Sequence, residues 1–406
     1  MLDHDEIVSH AQELLTRRFG GAQRLTDVQQ LRGSGNAIVL RAKVPAQPFL
    51  TERTVVIKHI PESEDALDVA ALIREIAAYQ FTTAMADETR PGPYLLAQDV
   101  EKRLIVLSDV GDHSTLSELL ESEGEASRRV HLRHLGLALG RMHAATAGKE
   151  KGFNSLLARM IKSHPEAAQS HDVRDRSLGP AIALGLQLIS DAGVDVPVEV
   201  KSLVADAVAR LKSTRFLAFT PFDLSPDNVV VSERMDFLDY EWAGFRDVAF
   251  DLACVIGGFP QYVGGARIDD EDVQVFLRAW TNETQHVWPR AVDEEHLHAS
   301  VLTALVGWAM SCVAMMHYGS LATALVASQQ STSEDVEFDG EVSVKPRLLE
   351  PAKGSAFNRE ETFIRQDIYE TFEALERFAS HGGEPEHAVV AEFARQVAAR
   401  VHTPHR

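Results

Sequence analysis

The stretch FTPFDLSPDNVVV (219–231), followed by DFLDYEW (236–242), determines how the rest of the chain is interpreted. Two short apolar runs enclose a polar loop that carries Asp223 and Asn228, and the next strand-like segment ends at Asp239. Apolar runs interrupted by such a loop are typical of neighbouring strands. We therefore expect these side chains to lie where two adjacent strands end.

Glu241 adds a third carboxylate to this group. Carboxylate and amide oxygens are ligands for hard cations such as Mg²⁺, and phosphoryl transfer needs such cations to neutralise the charge of the transferred group. An Asp-x-x-x-x-Asn spacing matches the catalytic loop of protein kinases, in which the Asp receives the proton of the acceptor hydroxyl. The alternative is an ordinary turn, which Ser, Pro, Asp and Asn build in most proteins.

The composition excludes several classes of function. The chain has 406 residues, of which 45% are hydrophobic and 25% charged, enough for two domains with substantial cores. The 60 acidic residues exceed the 40 basic ones, and the formal charge of -20 repels nucleic acid and anionic membrane surfaces. We expect neither a nucleic-acid nor a membrane partner, and the oligomeric state stays open.

The two cysteines, Cys254 and Cys312, lie in apolar helical patterns and predict buried thiols rather than a disulfide framework. The N-terminal residues lack the apolar core of a signal peptide, so we expect a cytoplasmic protein. Residues 299–316 carry no charge over 18 positions and just reach the length of a membrane span. Their small polar residues favour instead a buried helix of a large helical lobe.

The N-terminal part combines a helix with strands. Apolar residues at helical spacing over 5–19 predict an amphipathic helix that ends at two glycines. A strand, a glycine turn and a second strand follow, and Gly33, Ser34 and Gly35 lie in the turn. Main-chain N–H groups of such a turn can approach nucleotide phosphates, although an ordinary hairpin turn explains the same residues.

Lys58 lies in the apolar strand TVVIKHI (54–60), where a charged amine needs a partner or a ligand to offset its desolvation. Glu75 lies among apolar residues in the middle of the helical stretch that follows. A strand Lys paired with a helix Glu holds the α- and β-phosphates of ATP in protein kinases. The alternative is an edge-strand Lys and a solvated helix Glu.

Two further strand patterns end near Ser108, where the periodicity changes to that of helices. We predict an N-lobe over 1–107, containing the N-terminal helix, a five-stranded sheet and one helix, and a helical C-lobe over 108–406. Main-chain groups around Ser108 and Val110 would meet the nucleotide base at this junction. That assignment depends on position only, because main chain leaves no sequence signature.

The predicted C-lobe contains a helical insertion at about 148–215 and a mobile acidic loop at about 328–358, where periodicity is lost. Asp251 lies inside an apolar helix, so its carboxylate, if buried, needs a hydrogen-bond donor, which we expect in the catalytic loop. The alternative is a partly exposed helix residue. His131 and His134 are spaced like a ligand pair, but no third ligand is visible and a surface or capping role is favoured.

Taken together, these motifs follow the order found in the protein-kinase-like fold. The chain resembles the aminoglycoside phosphotransferase and choline kinase family over roughly 31–257. The family motifs LxxLH, HGDxxxxN, IDxE and DxAxDLA correspond here to LGRMH, PFDLSPDN, LDYE and DVAFDLA. The resemblance implies an α+β, bilobal fold with a small antiparallel-sheet N-lobe and a large, mainly helical C-lobe.

The resemblance also implies ATP and Mg²⁺ as cofactors, and it assigns roles to individual residues. Asp223 would be the catalytic base, and Asn228 and Asp239 the Mg²⁺ ligands. Lys58 and Glu75 would form the clamp for the ATP phosphates.

Two further positions of this chain match the family motifs. Asp251 would support the catalytic loop, and Glu241 would face a second metal or the acceptor. One departure stands out, because Pro221-Phe222 replaces the family's His-Gly before Asp223. It implies a different backbone or a tighter pocket beside this carboxylate.

The predicted function is transfer of the γ-phosphoryl group of ATP to a hydroxyl of a small molecule, such as an aminoglycoside, an amino alcohol or a sugar-like acceptor. The rival is a catalytically impaired, nucleotide-binding pseudokinase or scaffold. A protein kinase is disfavoured because no APE-like motif follows Asp239. Glu241 would suit a cationic acceptor, and Trp242, Trp280 and Trp308 either surround a quaternary amine or belong to the core.

Overall fold

The computed structural model describes residues 3–31, 37–46, 48–62, 66–213, 215–260, 267–320, 323–324, 346–351 and 357–402. The chain divides into two compact units. The first contains Met1–Glu118, Lys149–His171 and Asp227–Gly244, and the second contains Leu119–Gly148, Asp172–Pro226 and Phe245–Arg406.

The first unit is built on an antiparallel sheet. Its strands are β1 (Thr26–Gln30), β2 (Ile38–Lys43), β3 (Thr54–His59), β4 (Leu95–Asp99) and β5 (Leu104–Ser108). They are arranged in the order β1-β2-β3-β5-β4, and every neighbouring pair is antiparallel. Residues along β3 alternate between half-buried and buried, because successive side chains point to opposite faces of the sheet.

One face of this sheet packs against the N-terminal helix α1 (His4–Phe19). Asp3 and Glu6 form a capping box with two hydrogen bonds of 2.9 Å, and Gly20, at φ +77, follows the last turn. The shared core includes Ile7, Leu15, Leu40, Ile57 and Val106. The predicted N-terminal amphipathic helix and the five-stranded sheet are both present.

The first unit also contains α2 (Ala66–Thr83), α5 (Glu150–Ser163) and a hairpin of β7 (Val229–Val231) and β8 (Met235–Phe237). Phe153 of α5 packs edge-on against Phe81 of α2, with ring centroids 5.9 Å apart. The Phe237 N–H donates to the Pro91 carbonyl at 2.7 Å, which attaches the hairpin. Through these contacts the first unit includes segments beyond the N-lobe predicted at 1–107.

The second unit is mainly helical. Its helices are α4 (Glu125–Thr146), α7 (Leu178–Asp191), α8 (Val198–Arg210), α9 (Ala249–Ile256), α10 (Asp270–Thr284), α11 (Glu294–Tyr318), α12 (Arg359–Ser380) and α13 (Pro385–Val401). Strand β6 (Leu217–Thr220) pairs with β9 (Gly244–Asp247). Two further helices, α3 (Leu116–Ser122) and α6 (Ala168–Arg176), contain division points between the units.

Helix α11 is the apolar segment that reaches the length of a membrane span. It is long and apolar enough to cross a membrane, but 83% of its most apolar window is buried inside the protein. Helices α7, α8, α9 and α12 pack on it. Its approach to α7 requires Gly185, where an added Cβ would lie 1.8 Å from the Met310 carbonyl oxygen. The prediction of a buried core helix is confirmed.

The α+β fold class is confirmed, since an antiparallel sheet near the N-terminus is followed by a mainly helical remainder. Cys254 and Cys312 are buried and form no disulfide, as predicted. Of the acidic loop predicted at 328–358, the structure describes only 346–351 and 357–358. Residues Pro346–Leu349 form a short 3₁₀ turn.

Candidate active site

The β7–β8 hairpin brings Asn228 and Asp239 to the same end. Val229 pairs with Phe237, so Asn228 directly precedes the first strand and Asp239 follows the second strand by two residues. The Leu238 N–H donates to the Asn228 carbonyl at 2.8 Å, which extends the pairing by one step. Both predicted metal ligands are half-buried and lie at the open end of one hairpin.

Lys58 joins two carboxylates of the first unit. Its Nζ donates to Glu75 Oε1 at 2.8 Å and to Asp239 Oδ1 at 3.0 Å. Lys58 lies on β3, Glu75 in the middle of α2 and Asp239 after β8, so three segments distant in sequence converge on one ammonium group. We call these residues the Lys58 cluster. The sequence predicts the contact with Glu75 but not the contact with Asp239.

The charges of the Lys58 cluster depend on one another. Burial opposes the positive charge of Lys58, but the carboxylates of Glu75 and Asp239 outweigh burial and raise the pKa of the lysine. Burial raises the pKa of Glu75, Lys58 lowers it, and the charges of Asp239 and Glu241 raise it. The net result is a pKa of about 7. Lys58 therefore stays protonated at neutral pH, held by the side chains of Glu75 and Asp239.

Two more residues of α2 hold the segment after β8. Arg74 Nη1 donates to the Ala243 carbonyl at 3.1 Å, and the Tyr79 hydroxyl accepts the Asp239 N–H at 3.4 Å. Asp239 has φ +58, a left-handed conformation that residues other than glycine rarely adopt. The sequence analysis missed Arg74 and Tyr79. The available signal was a second charge beside Glu75 in an apolar helix, because a buried charge needs a partner.

The residues predicted to meet the nucleotide base lie at the end of β5. The Ser108 N–H donates to the Tyr94 carbonyl at 3.0 Å, and the Ser108 hydroxyl accepts the Tyr94 N–H at 3.0 Å. Ser108 is buried, whereas Val110 is half-buried and lies beyond the strand. Three residues of the predicted glycine turn lie outside the described residues: Gly33, Ser34 and Gly35.

Asp223 belongs to the second unit and lies in the loop after β6. The Ser225 N–H donates to Asp223 Oδ1 at 3.1 Å, a short-range bond that orients the carboxylate. The preceding residue, Phe222, has φ +67. A left-handed backbone costs a residue with a Cβ roughly 1–2 kcal/mol, whereas glycine adopts it freely. Position 222 is also where the family that this chain resembles has glycine.

The Phe222 side chain is held by packing within the second unit. Its ring stacks on Trp308, with centroids 5.1 Å apart and planes inclined by 24°. The Arg246 guanidinium lies over the same ring, 4.6 Å from its centroid. We call Phe222, Trp308 and Arg246 the Phe222 cluster. Phe222 thus has a backbone conformation that glycine adopts freely, and its aromatic ring fills the space beside Trp308 and Arg246.

Asp251 forms its hydrogen bond with a histidine. His143 Nε2 lies 3.2 Å from Asp251 Oδ2, and Trp280 Nε1 donates to His143 Nδ1 at 3.0 Å. Because an indole N–H can only donate, His143 Nδ1 is unprotonated and Nε2 carries the proton donated to Asp251. Burial raises the pKa of Asp251, and the bond from His143 partly counteracts that rise.

This buried chain of bonds corrects one expectation. The sequence analysis places the donor to Asp251 in the catalytic loop, whereas the bond runs to His143 on α4 and continues to Trp280 on α10. Asp251 is completely buried, so it does not face an acceptor. Trp280 and Trp308 are also core residues, and Trp308 Nε1 donates to the Phe250 carbonyl at 2.6 Å.

The first unit offers oxygen donors suited to a hard cation. The Asn228 carboxamide and the Asp239 carboxylate lie at one hairpin end, and the Asp239 side chain is 28% exposed, which leaves it accessible. In the part of the chain that the structure describes, no three His, Cys, Asp or Glu side chains form a metal-binding group. His131 instead lies 2.9 Å from Glu123, which supports its predicted surface role.

The structure therefore brings Lys58, Glu75 and Asp239 into contact and places Asn228 at the hairpin that ends in Asp239. Asp223 and Asp251 belong to the second unit. Glu241 is half-buried in the first unit, where its charge acts on Glu75.

The chain belongs to the phosphotransferase enzyme family, whose model matches residues 47–291, more than half of the sequence. No curated protein sequence matches the chain significantly. The family assignment agrees with the resemblance expected from the sequence motifs.

Several solved structures are similar to this one. A choline/ethanolamine kinase family protein from Mesorhizobium loti has 14% identity and a TM-score of 0.43, over 96% of this chain and 99% of that one. The choline kinase LicA from Streptococcus pneumoniae has 13% identity and a TM-score of 0.43, over 92% and 100%. The streptomycin–ATP–APH(2″)-IIa complex has 12% identity and a TM-score of 0.43, over 82% and 98%. The family assignment depends on the sequence match alone.

Proposed function

We propose that this phosphotransferase moves the γ-phosphoryl group of ATP to a hydroxyl group of a small molecule and uses Mg²⁺. The observation that carries the proposal is the Lys58 cluster, in which one protonated amine is held between Glu75 and Asp239. An ammonium group fixed in this way is suited to bind phosphate oxygens, because both its position and its charge are maintained.

Asn228 and Asp239 would hold the metal. Mg²⁺ bound there would neutralise negative charge on the phosphate oxygens. The chain's own contribution is to fix the two ligands at one hairpin end and to orient Asp239 through Lys58 and the Tyr79 hydroxyl. Glu241 would contribute to the same negative region.

Asp223 would accept the proton of the acceptor hydroxyl. A base in this role must present its carboxylate in a fixed orientation, and the Ser225 N–H bond to Oδ1 provides one. Asp251 would act indirectly, because its bond with His143 ties α9 to α4 and so supports the second unit from which the Asp223 loop projects.

We include aminoglycosides, amino alcohols and sugar-like molecules among the proposed acceptors. Glu241 and the half-buried Trp242 suit a cationic acceptor, because a carboxylate and an aromatic face both attract positive charge. We also propose a cytoplasmic location, which suits two buried cysteines that form no disulfide. Cell fractionation would test the location.

The activity is tested by incubating the protein with Mg·ATP and a panel of hydroxylated metabolites and antibiotics while ADP is measured. Asp223→Ala should abolish acceptor-dependent ADP formation while its unfolding temperature stays within about 2 °C of the wild type. Retained turnover in this variant would remove Asp223 from the proposed role. Stabilisation of the wild type by Mg·ATP, without turnover of any acceptor, would favour the pseudokinase alternative.

A further inference from the structure

Arg41 lies on the same face of the sheet as Lys58. It is opposite Val56 in the β2–β3 register, and Val56 precedes Lys58 by two residues, so the three side chains point the same way. Leu107 of β5 is opposite Val56, and Asp109 follows Leu107 by two residues. One sheet face therefore carries Lys58 near one end, Arg41 level with Val56, and Asp109 two residues beyond Leu107.

Arg41 makes a set of close polar contacts with the segment after β5. Its Nε lies 2.9 Å from Asp109 Oδ2, and its Nη2 donates to Asp109 Oδ1 at 3.1 Å and to the Gly111 carbonyl at 2.7 Å. The Gly111 N–H donates back to Asp109 Oδ1 at 2.9 Å. The Asp109 side chain is only 5% exposed. We call Arg41, Asp109 and Gly111 the Arg41 latch.

The Arg41 latch fixes main chain that the sheet does not hold. Strand β5 ends at Ser108, so the peptide groups of Asp109 and Val110 lie outside the ladder. The guanidinium joins the Asp109 carboxylate to the Gly111 carbonyl through Nη2, and Gly111, at φ +95, adopts a conformation that other residues rarely take. The latch thus sets the directions in which the N–H and C=O groups of this segment point.

The surface between Lys58 and the latch is apolar. Val39 and Val56 are half-buried on this face, whereas Leu40 and Ile57 on the opposite face belong to the core. Two residues of strand, about 6.7 Å, separate Val56 from Lys58. The face therefore presents an ammonium group, an apolar strip and fixed main-chain groups in that order. A nucleotide presents phosphates, a sugar and a flat base with a polar edge in the same order.

We propose that Arg41 is a positioning residue for the nucleotide base, acting through Asp109 and the main chain of residues 109–111. This inference depends on the proposed use of ATP. Arg41 itself is neutralised by Asp109, so its role is to hold the segment against β2. Loss of the Arg41 latch should lower the affinity for ligands that carry a base and leave the affinity for ligands that consist of phosphates alone unchanged.

The test compares ATP with inorganic tripolyphosphate, both with Mg²⁺, by isothermal titration calorimetry. Arg41→Gln and Asp109→Asn should each weaken ATP binding about tenfold, the effect of losing charged hydrogen bonds. Tripolyphosphate affinity should stay within about twofold of the wild type. Arg41→Lys keeps the positive charge but lacks the planar guanidinium with its several donors. It should give an intermediate loss of ATP affinity.

Lys43→Gln is the matched control. Lys43 lies two residues further along β2 on the same face and pairs with Asp27 at 2.9 Å, but both side chains are more than half exposed. Its loss should leave ATP affinity unchanged. Wild-type ATP affinity in Arg41→Gln and Asp109→Asn, or an equal loss of tripolyphosphate affinity, overturns the inference alone. A wild-type protein that binds neither ligand overturns the proposed function as well.

Discussion

The Lys58 cluster of the first unit and the Phe222 cluster of the second unit contrast in how they are stabilised. In the Lys58 cluster, charges offset one another, since a nearly buried ammonium group contacts two carboxylates at 2.8 and 3.0 Å. In the Phe222 cluster, a strained residue is held by ring stacking and a guanidinium 4.6 Å above the ring. The Lys58 cluster keeps the residues expected from the family, whereas the Phe222 cluster contains a residue that differs from the family motif.

Packing can hold a residue with a Cβ in a backbone conformation that favours glycine. Phe222 occupies the position of the family's glycine and has a left-handed backbone, at φ +67. Aromatic packing can offset a cost of roughly 1–2 kcal/mol, because a buried aromatic side chain contributes more than that. Charged partners are less replaceable, because removing one leaves the other buried and unpaired. Substitutions at Phe222, Lys58 and Trp280 distinguish stabilisation by packing from stabilisation by paired polar groups.

Phe222→Ala should lower the free energy of unfolding by about 4 kcal/mol, because it removes a buried ring and leaves a cavity beside Trp308. Urea denaturation of both proteins measures the change. Phe49→Ala is the control, since Phe49 is 59% exposed and its loss should change stability by less than about 0.5 kcal/mol. A loss below about 1 kcal/mol at position 222 would show that packing does not hold this loop.

Lys58→Met should lower the free energy of unfolding by about 3 kcal/mol at pH 8, because Glu75 then stays buried without its cation. The loss should be smaller at pH 6. The pKa of Glu75 is raised from 4.5 to about 7 with Lys58 present, and loss of the lysine, whose charge lowers this pKa, raises it further. Between pH 6 and pH 8 the wild type releases the Glu75 proton while the folded variant retains it, so the variant loses stability relative to the wild type as pH rises. Urea denaturation at both pH values checks this.

The double variant Lys58→Met with Glu75→Gln serves as the control for the charge. A neutral amide at position 75 should restore much of the stability at pH 8 and remove the difference between the two pH values. If Lys58→Met is equally destabilised at pH 6 and pH 8, the loss comes from packing rather than from the unpaired carboxylate.

Trp280→Phe should lower the free energy of unfolding by about 2 kcal/mol, because His143 Nδ1 loses its buried donor. Nitrogen NMR of His143 should detect a proton on Nε2 in the wild type and loss of this single tautomer in the variant. Trp288→Phe is the control, since Trp288 stacks on Trp280 at 6.2 Å without donating to His143. An unchanged His143 spectrum in Trp280→Phe would contradict the assigned chain of hydrogen bonds.

Phe222→Gly should be more stable than Phe222→Ala by about 1 kcal/mol, because only glycine adopts φ +67 without strain. Both variants lose the same ring, so their difference isolates the backbone. The same pair at Phe219 in β6 should give the reverse order, since glycine weakens a strand. Equal stabilities of the two variants at position 222 would rule out a strained backbone there.

Much of the fold could be predicted because its signals are local. The N-terminal helix follows from apolar spacing and the glycines after Phe19, and the buried nature of α11 follows from an uncharged stretch diluted by small residues. The pairing of Lys58 with Glu75 was also predictable, since a charge in an apolar strand and one in an apolar helix each require a partner.

The less predictable parts depend on contacts between distant segments. The partner of Asp251 is His143, although the sequence analysis places the donor in the catalytic loop. The need for a donor was evident from the apolar surroundings, but the choice among donors depends on how α4 packs beside α9. The Arg41 latch is a further example, since nothing near Arg41 in the sequence indicates Asp109.

The order of helices and strands, the family of the chain and the residues that must find partners could all be inferred from the residues alone. Those features follow from residue spacing and from the cost of burying charge, which act within short stretches. The contact of Asp239 with the Lys58 that also binds Glu75, and the packing of Phe222 against Trp308, are visible only in the folded chain. These contacts depend on which surfaces meet when the chain is folded. Many charged or aromatic residues of the chain could serve equally well as partners, and the fold determines which one lies within reach.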